Sequence, residues 1–277
     1  VVIPTYNNDK TIKAVVEQSL HYCDDVIVVA DGCTDNTMSL LHDIDNIKIV
    51  AYPQNKGKGY ALKTGFKKAL EEGFSYAITL DGDGQHYPED IPHFLKANQE
   101  HPHALIVGNR QLEGVDRSKG SSFANKFSNF WFFIQTGKAL EDTQTGYRLY
   151  PLRKLHGLSL LTSRYEAELE LLVFASWHGT KIVSIPIQVY YPPRAERVSH
   201  FRPGKDFARI SVLNTVLCFL AIVYGLPLRL LRALMIFVRT TYSLLFFLFF
   251  TLLVFSPFVW IYTKLFKMTE KRRYRLH

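Results

Sequence analysis

Two carboxylates one residue apart, Asp81 and Asp83, follow the apolar run 76–80 and are themselves followed by Gln85 and His86. Hard oxygen ligands at the C-terminal end of a strand suit a divalent cation, and that edge is where open α/β sheets bind ligands. Gly82 and Gly84 flank Asp83 and let the chain turn there, so that both carboxylates can serve one ion. Mg²⁺ or Mn²⁺ held by one or two carboxylates and completed by substrate phosphates fits such a turn. The pair by itself is a weak signal and more often marks a solvated acidic turn, so the surrounding elements have to decide.

Those elements alternate. Strand-like runs at 1–3, 26–30, 47–51, 76–80 and 105–107 are separated by helical stretches at about 11–21, 36–43, 59–72 and 88–99. The βαβαβαβ order predicts a Rossmann-like, mostly parallel sheet with helices on both faces and right-handed crossovers. Pro88-Glu89-Asp90 places a proline and two acids at a helix start, where the missing N–H and the positive end accept them. Residues 111–145 read as a polar loop followed by an aromatic helix around Phe130-Trp131-Phe132-Phe133. A helix at 165–177 and a strand at 181–187 complete the soluble part.

Charge divides the 277 residues unequally. Residues 1–200 carry 21 Lys and Arg against 23 Asp and Glu, whereas residues 201–277 carry 12 against 2. Basicity confined to a C-terminal quarter rich in apolar runs points to an anionic membrane surface, and the near-neutral first part argues against nucleic acid. Residues 240–263 contain no charge; as a helix they extend about 36 Å, enough for a hydrocarbon core of roughly 30 Å. Residues 210–228 form a weaker stretch, either a first span or an interfacial helix. The expected organisation is a soluble domain at 1–204 and an anchor at 205–277, with a two-helix hairpin returning the basic tail 264–277 to the cytoplasm. Cys23, Cys33 and Cys218 show neither metal nor disulfide spacing and read as reduced thiols. The chain opens in a strand without an initiator Met, so further N-terminal residues are expected.

More motifs fall at the same sheet edge: Pro4-Thr5-Tyr6-Asn7 after the first strand, Ala30-Asp31-Gly32-Cys33-Thr34-Asp35 after the second, Asn55-Lys56-Gly57-Lys58-Gly59 after the third, Gly108-Asn109-Arg110 after the fifth, and later Asp142-Thr143-Gln144-Thr145-Gly146-Tyr147-Arg148. In this order and spacing the set resembles family-2 glycosyltransferases of the GT-A fold. It is most similar to the dolichyl- or polyprenyl-phosphate mannose and glucose synthase branch, over roughly residues 1–200.

The resemblance implies a membrane-anchored, inverting transferase that moves a hexose from a nucleotide-sugar donor to a polyprenyl phosphate on the cytoplasmic face. It assigns Asp81, Asp83 and Gln85 to the metal, and Pro4, Tyr6, Asp31 and Asp35 to the base and ribose. Ala30 stands where the family commonly has a second Asp, which removes one nucleotide contact. Lys58 would meet a phosphate or the base; the residue alone reads equally as an exposed lysine at a helix start. Arg110, Arg117 and Lys119 fall in the segment that holds the acceptor phosphate, a task the planar guanidinium fork suits. Asp142 is either a general base, needed if the acceptor is a hydroxyl, or an organiser of the site if the acceptor is an already ionised phosphate. Gln144, Arg148 and Arg202 are lesser candidates, His86 is a spare ligand or a loop histidine, and Phe130–Phe133 line a lipid path or pack in the core. Two other functions remain open on the sequence: transfer to a hydroxyl of a lipid or surface glycan, and an inactive nucleotide-sugar binding module.

Overall fold

The computed structural model describes residues 1–110, 119–158, 160–191 and 203–273. Seven strands form one sheet: β1 (Val2–Thr5), β2 (Val26–Asp31), β3 (Ile47–Tyr52), β4 (Tyr76–Thr79), β5 (Leu105–Arg110), β6 (Arg148–Pro151) and β7 (Ile182–Ile187), in the order β3-β2-β1-β4-β6-β5-β7. The helices between them are α1 (Ile12–Leu20), α2 (Thr37–His42), α3 (Lys58–Glu71), α4 (Ile91–Glu100), α5 (Lys119–Thr136), α6 (Leu152–Leu155) and α7 (Glu166–Trp177). A 3-10 turn at Pro88–Asp90 leads into α4.

Alternation along the strands builds two packed layers. Ile3, Val26 and Val28 face Ile12, Val15, Val16, Leu41 and Phe94, so α1, α2 and α4 cover one face. The opposite face carries α3, which packs on β1 and β2, and α7, which packs on α3 and α5. All seven strands pair in parallel except β6, which runs antiparallel to both β4 and β5. This strand was not expected. Its four residues begin with Arg148 and end in Pro151, which hides a buried strand from any reading based on apolar runs.

Packing divides the chain into one compact unit, Val1–Leu226, and a second, Pro227–His277. The first therefore extends beyond residue 204 to include α8 (Pro203–Leu220) and a π-helical turn, Ala221–Gly225. Residues 210–220 do not form a free span here. Leu213, Asn214 and Leu217 are buried, and Gln135 of α5 donates to Asn214 Oδ1 at 2.9 Å. The other side of α8 exposes Val212, Val216 and Phe219.

The second unit is almost entirely α9 (Leu226–Arg273), 48 residues without a break. The reversal expected around residues 229–239 is absent, and the hairpin is corrected to a continuous helix. No glycine or proline lies between Pro227 and Pro257, so nothing in that stretch breaks helical geometry. Among the described residues, one helical stretch, Gly204–Thr251, is long and apolar enough to cross a membrane.

Candidate active site

The C-terminal ends of β1, β2, β4 and β5 bring the motifs to one edge. At the β2 end, the Asp31 carboxylate folds the turn that follows β3. Its Oδ1 accepts from the Lys56 N–H at 2.7 Å and its Oδ2 from the Gly57 N–H at 2.8 Å, with Gly57 at a φ of 100° that favours glycine. Asp31 therefore shapes this loop with both oxygens. Asp35 does comparable work, accepting from the N–H of Thr37 at 3.0 Å and of Asp9 at 3.1 Å. Burial opposes its charge, but these hydrogen bonds prevail and hold the carboxyl below the ordinary range. Asn7 completes the link between the β1 and β2 ends by accepting from the Thr34 N–H at 2.8 Å.

Beside this loop lies a cleft of about 320 Å³ lined by Ala30, Cys33, Met38, Ala51, Tyr52 and Pro53. Lys56 Nζ sits 4.5 Å from the ring centre of Tyr60 and 5.4 Å from that of Tyr52. Pro4 is buried in β1 in register with Val29, and Tyr6 is half-buried just beyond the strand.

The carboxylate pair occupies a turn pinned from two sides. Thr11 donates to the Gly82 carbonyl at 2.7 Å, and the Tyr190 N–H donates to the Gln85 carbonyl at 2.8 Å. Asp83 Oδ1 accepts from the Gln85 N–H at 3.0 Å. Lys58 Nζ lies 2.7 Å from Asp81 Oδ1 and 3.0 Å from Glu168 Oε2. The two acids consequently differ. Burial opposes ionisation of Asp81, yet the Lys58 ammonium keeps its carboxyl below the usual range. Burial and then the charge of Asp81 push Asp83 up to about 6. Asp83 is half-buried, and a carboxylate raised by its own neighbour is one whose charge a divalent cation would relieve. Among the described residues no group of three or more His, Cys, Asp or Glu side chains is gathered for a metal ion. Two carboxylates and an amide oxygen are hard ligands that could hold a Mg²⁺ or Mn²⁺ ion only with a ligand completing its coordination. Burial pushes His86 down to about 4, and its ring packs on Tyr147, so it is a neutral packed histidine.

Across the edge, Arg110 and Asp142 form a bidentate pair: Nε to Oδ2 at 2.6 Å and Nη2 to Oδ1 at 2.9 Å. Asp142 is buried and also accepts from the Gln144 N–H at 3.1 Å. Arg148 is fully buried and structural, donating to the carbonyls of Thr143 and Glu168, both at 2.8 Å. Arg117 and Arg202 lie outside the described residues, and Lys119 opens α5. Of the aromatic run, Phe132 is core, whereas Phe130 and Phe133 are exposed.

Two participants escaped the sequence reading. Glu168 sits on α7 among apolar residues, and the run Glu166-Ala-Glu168-Leu-Glu170 is its signal, since three acids buried on one apolar helix each need a reason. Gly146 is the other. A methyl group at its Cα would stand 2.6 Å from Lys58 Nζ and 2.7 Å from Asp81 Oδ2, so a larger residue here would displace the end of one of those side chains.

A mostly parallel sheet with one reversed strand carries the Asp-x-Asp turn at its edge, the arrangement of a GT-A-like fold. The family model described as "Glycosyl transferase family 2" matches residues 1–150, and the chain belongs to that family. It is 33% identical over 214 residues to the UDP-N-acetylglucosamine–dolichyl-phosphate N-acetylglucosaminyltransferase of Methanococcus voltae, covering 69% of this chain and 85% of the relative. It is 31% identical to the polyprenol monophosphomannose synthase of Mycolicibacterium smegmatis, covering 68% and 75%. The fold matches glucosyl-3-phosphoglycerate synthase from Mycobacterium tuberculosis, solved with Mn²⁺, UDP and phosphoglyceric acid, at a TM-score of 0.60 and 17% identity over 79% of this chain and 76% of that one.

Proposed function

We propose that this chain is a membrane-anchored, inverting glycosyltransferase that moves a hexose from a nucleotide-sugar donor to a polyprenyl phosphate at the cytoplasmic face. The names of the Methanococcus and Mycolicibacterium relatives support a lipid-phosphate acceptor, and the UDP-bound structure supports a nucleotide-diphosphate donor.

The observation that carries the reading is the Arg110–Asp142 pair. A general base must offer a free oxygen to the proton it takes, and both Asp142 oxygens are engaged by one guanidinium. An ionised phosphate acceptor needs no base. Its oxygen attacks the anomeric carbon, the bond to the donor diphosphate breaks, and the nucleoside diphosphate leaves with the electron pair. Asp81 and Asp83, with Gln85, would hold a Mg²⁺ or Mn²⁺ ion, whose chemistry when bound would be charge neutralisation at the diphosphate. Asp31, Asp35, Pro4, Tyr6 and the Lys56–Tyr60 face shape the nucleotide side. Arg110, whose Nη1 is not part of the Asp142 pair, is assigned to the acceptor phosphate together with Arg117 and Lys119. Lipid contact is supported by the apolar length of α9 and by the exposed Phe130, Phe133 and Phe219. Cytosolic supply of nucleotide sugars supports the cytoplasmic face.

Product analysis tests this directly. Membranes carrying the protein, given a panel of labelled nucleotide sugars and polyprenyl phosphate, should yield an acid-labile glycosyl phospholipid. Transfer only to a neutral lipid or glycan hydroxyl would replace the reading with the hydroxyl-acceptor alternative, and donor binding without turnover would replace it with a binding module.

A further inference from the structure

Lys58 lies between two carboxylates from different parts of the fold. Its ammonium is 2.7 Å from Asp81 and 3.0 Å from Glu168, and all three side chains are largely withdrawn from solvent. The third side is closed by the Gly146 backbone, on which even a methyl group would collide with the ammonium nitrogen. Glu168 is fixed in turn: its carbonyl accepts from Arg148 at 2.8 Å, and among the described residues its Oε1 is buried without a hydrogen-bond partner. The carboxylate is thus committed to Lys58 through Oε2.

We propose that Lys58 is a built-in counter-cation that competes with the divalent ion for Asp81, and that Glu168 is the positioning residue that sets the strength of this competition. The inference rests on the metal reading of Asp81 and Asp83. A cation arriving at Asp81 must displace part of the ammonium's attraction, since one carboxylate oxygen cannot serve both fully. Glu168 holds the displaced charge so that Lys58 stays in place instead of following Asp81. Without Glu168 the ammonium has one anion left, and it holds Asp81 more tightly against the metal. Without Lys58, Asp81 is free for the ion.

The signs are therefore opposite, and Glu168 acts only through Lys58. Mn²⁺ affinity of the full-length protein in detergent, without nucleotide and at pH 8, is read by electron paramagnetic resonance. Lys58→Met should tighten binding at least about fivefold and Glu168→Gln should weaken it at least about threefold, magnitudes ordinary for a charge removed beside a site. The double variant should follow Lys58→Met, because Glu168 then has nothing to hold. A double variant equal to wild type, or two singles shifting the same way, overturns the proposal. Glu168→Asp, which keeps the charge but withdraws it from Lys58, should weaken binding in the same direction and serves if Glu168→Gln does not fold. Equal Mn²⁺ binding by wild type and Asp83→Ala would instead overturn the metal reading, and this proposal with it.

Discussion

The Cα of Gly146 approaches the Lys58 ammonium so closely that an added methyl carbon would lie 2.6 Å from the nitrogen. This contact joins the two halves of the site. Gly146 belongs to the segment that begins with Asp142, and Lys58 opens α3 beside the Asp31 turn. Thr79 fixes the approach by donating to the Gly146 carbonyl at 2.6 Å. Gly146→Ala must push either Lys58 or Asp81 aside. A displacement near 1 Å at reacting groups costs about a hundredfold in rate. Turnover by Gly146→Ala should fall on that order while circular dichroism and membrane association stay at wild-type values. Wild-type turnover in this variant would show that the contact is slack.

The carboxylate pair should be indispensable. Asp81→Ala and Asp83→Ala are each expected to abolish transfer with the fold retained. Excess EDTA should act like either substitution on the wild type, and Mn²⁺ or Mg²⁺ should restore it. Full activity in EDTA would remove the metal from the reaction.

On the acceptor side, Arg117→Ala combined with Lys119→Ala should raise the acceptor KM strongly and leave donor binding nearly unchanged. Asp142→Asn should retain turnover within about tenfold, since general-base removal costs about 10² to 10⁴. A loss of about 10²-fold or more with unaltered nucleotide affinity would establish Asp142 as a base. Arg110→Met is expected to cost stability, because it leaves Asp142 buried with an uncompensated charge, a change worth about 3 kcal/mol or more.

Asp83 makes stability depend on pH in the absence of metal. Its carboxyl stands at about 6 in the folded protein against an ordinary 3.8. The folded state thus favours the protonated form, and its contribution falls as pH rises from about 4 through 6. Above that window the ionised carboxylate costs at most about 3 kcal/mol. Asp83→Asn should therefore raise the melting temperature of metal-free protein at pH 7.5 and change it little at pH 4. Added Mn²⁺ should stabilise wild type more at pH 7.5 than at pH 5.5. Asp81 has the opposite sign, its carboxyl being lowered, so its contribution is present above the ordinary range and lost as pH falls. Melting curves of the two proteins across pH, with and without Mn²⁺, check the prediction. A constant difference between them would contradict it.

The first five strands were legible because each is an apolar run that ends in a turn-forming motif, and the motifs arrive at one edge by topology alone. What the side chains do there was less legible. Asp31 looks from sequence like a ligand contact, whereas in the fold both its oxygens hold the Lys56–Gly57 turn. Arg110 and Asp142 lie 32 positions apart, so their pairing depends on β6 bringing the second beside the first. β6 itself was invisible because a buried arginine satisfied by carbonyls looks, in one dimension, like a surface residue. The membrane hairpin failed for a simpler reason. Arginines placed between two apolar stretches read as a connection, although arginine sustains a helix well.

The reversed strand β6 also orders assembly of the molecule. Among the described residues, β5 joins the rest of the sheet only through β6, and β7 only through β5. A nascent chain can complete β1 to β4, with the Asp-x-Asp turn, from consecutive parallel units. β5 then waits without a neighbour until residues 148–151 slot in beside β4. The β5 edge facing β6 is therefore unpaired until that strand is in place, and an unpaired edge is open to pairing with another chain.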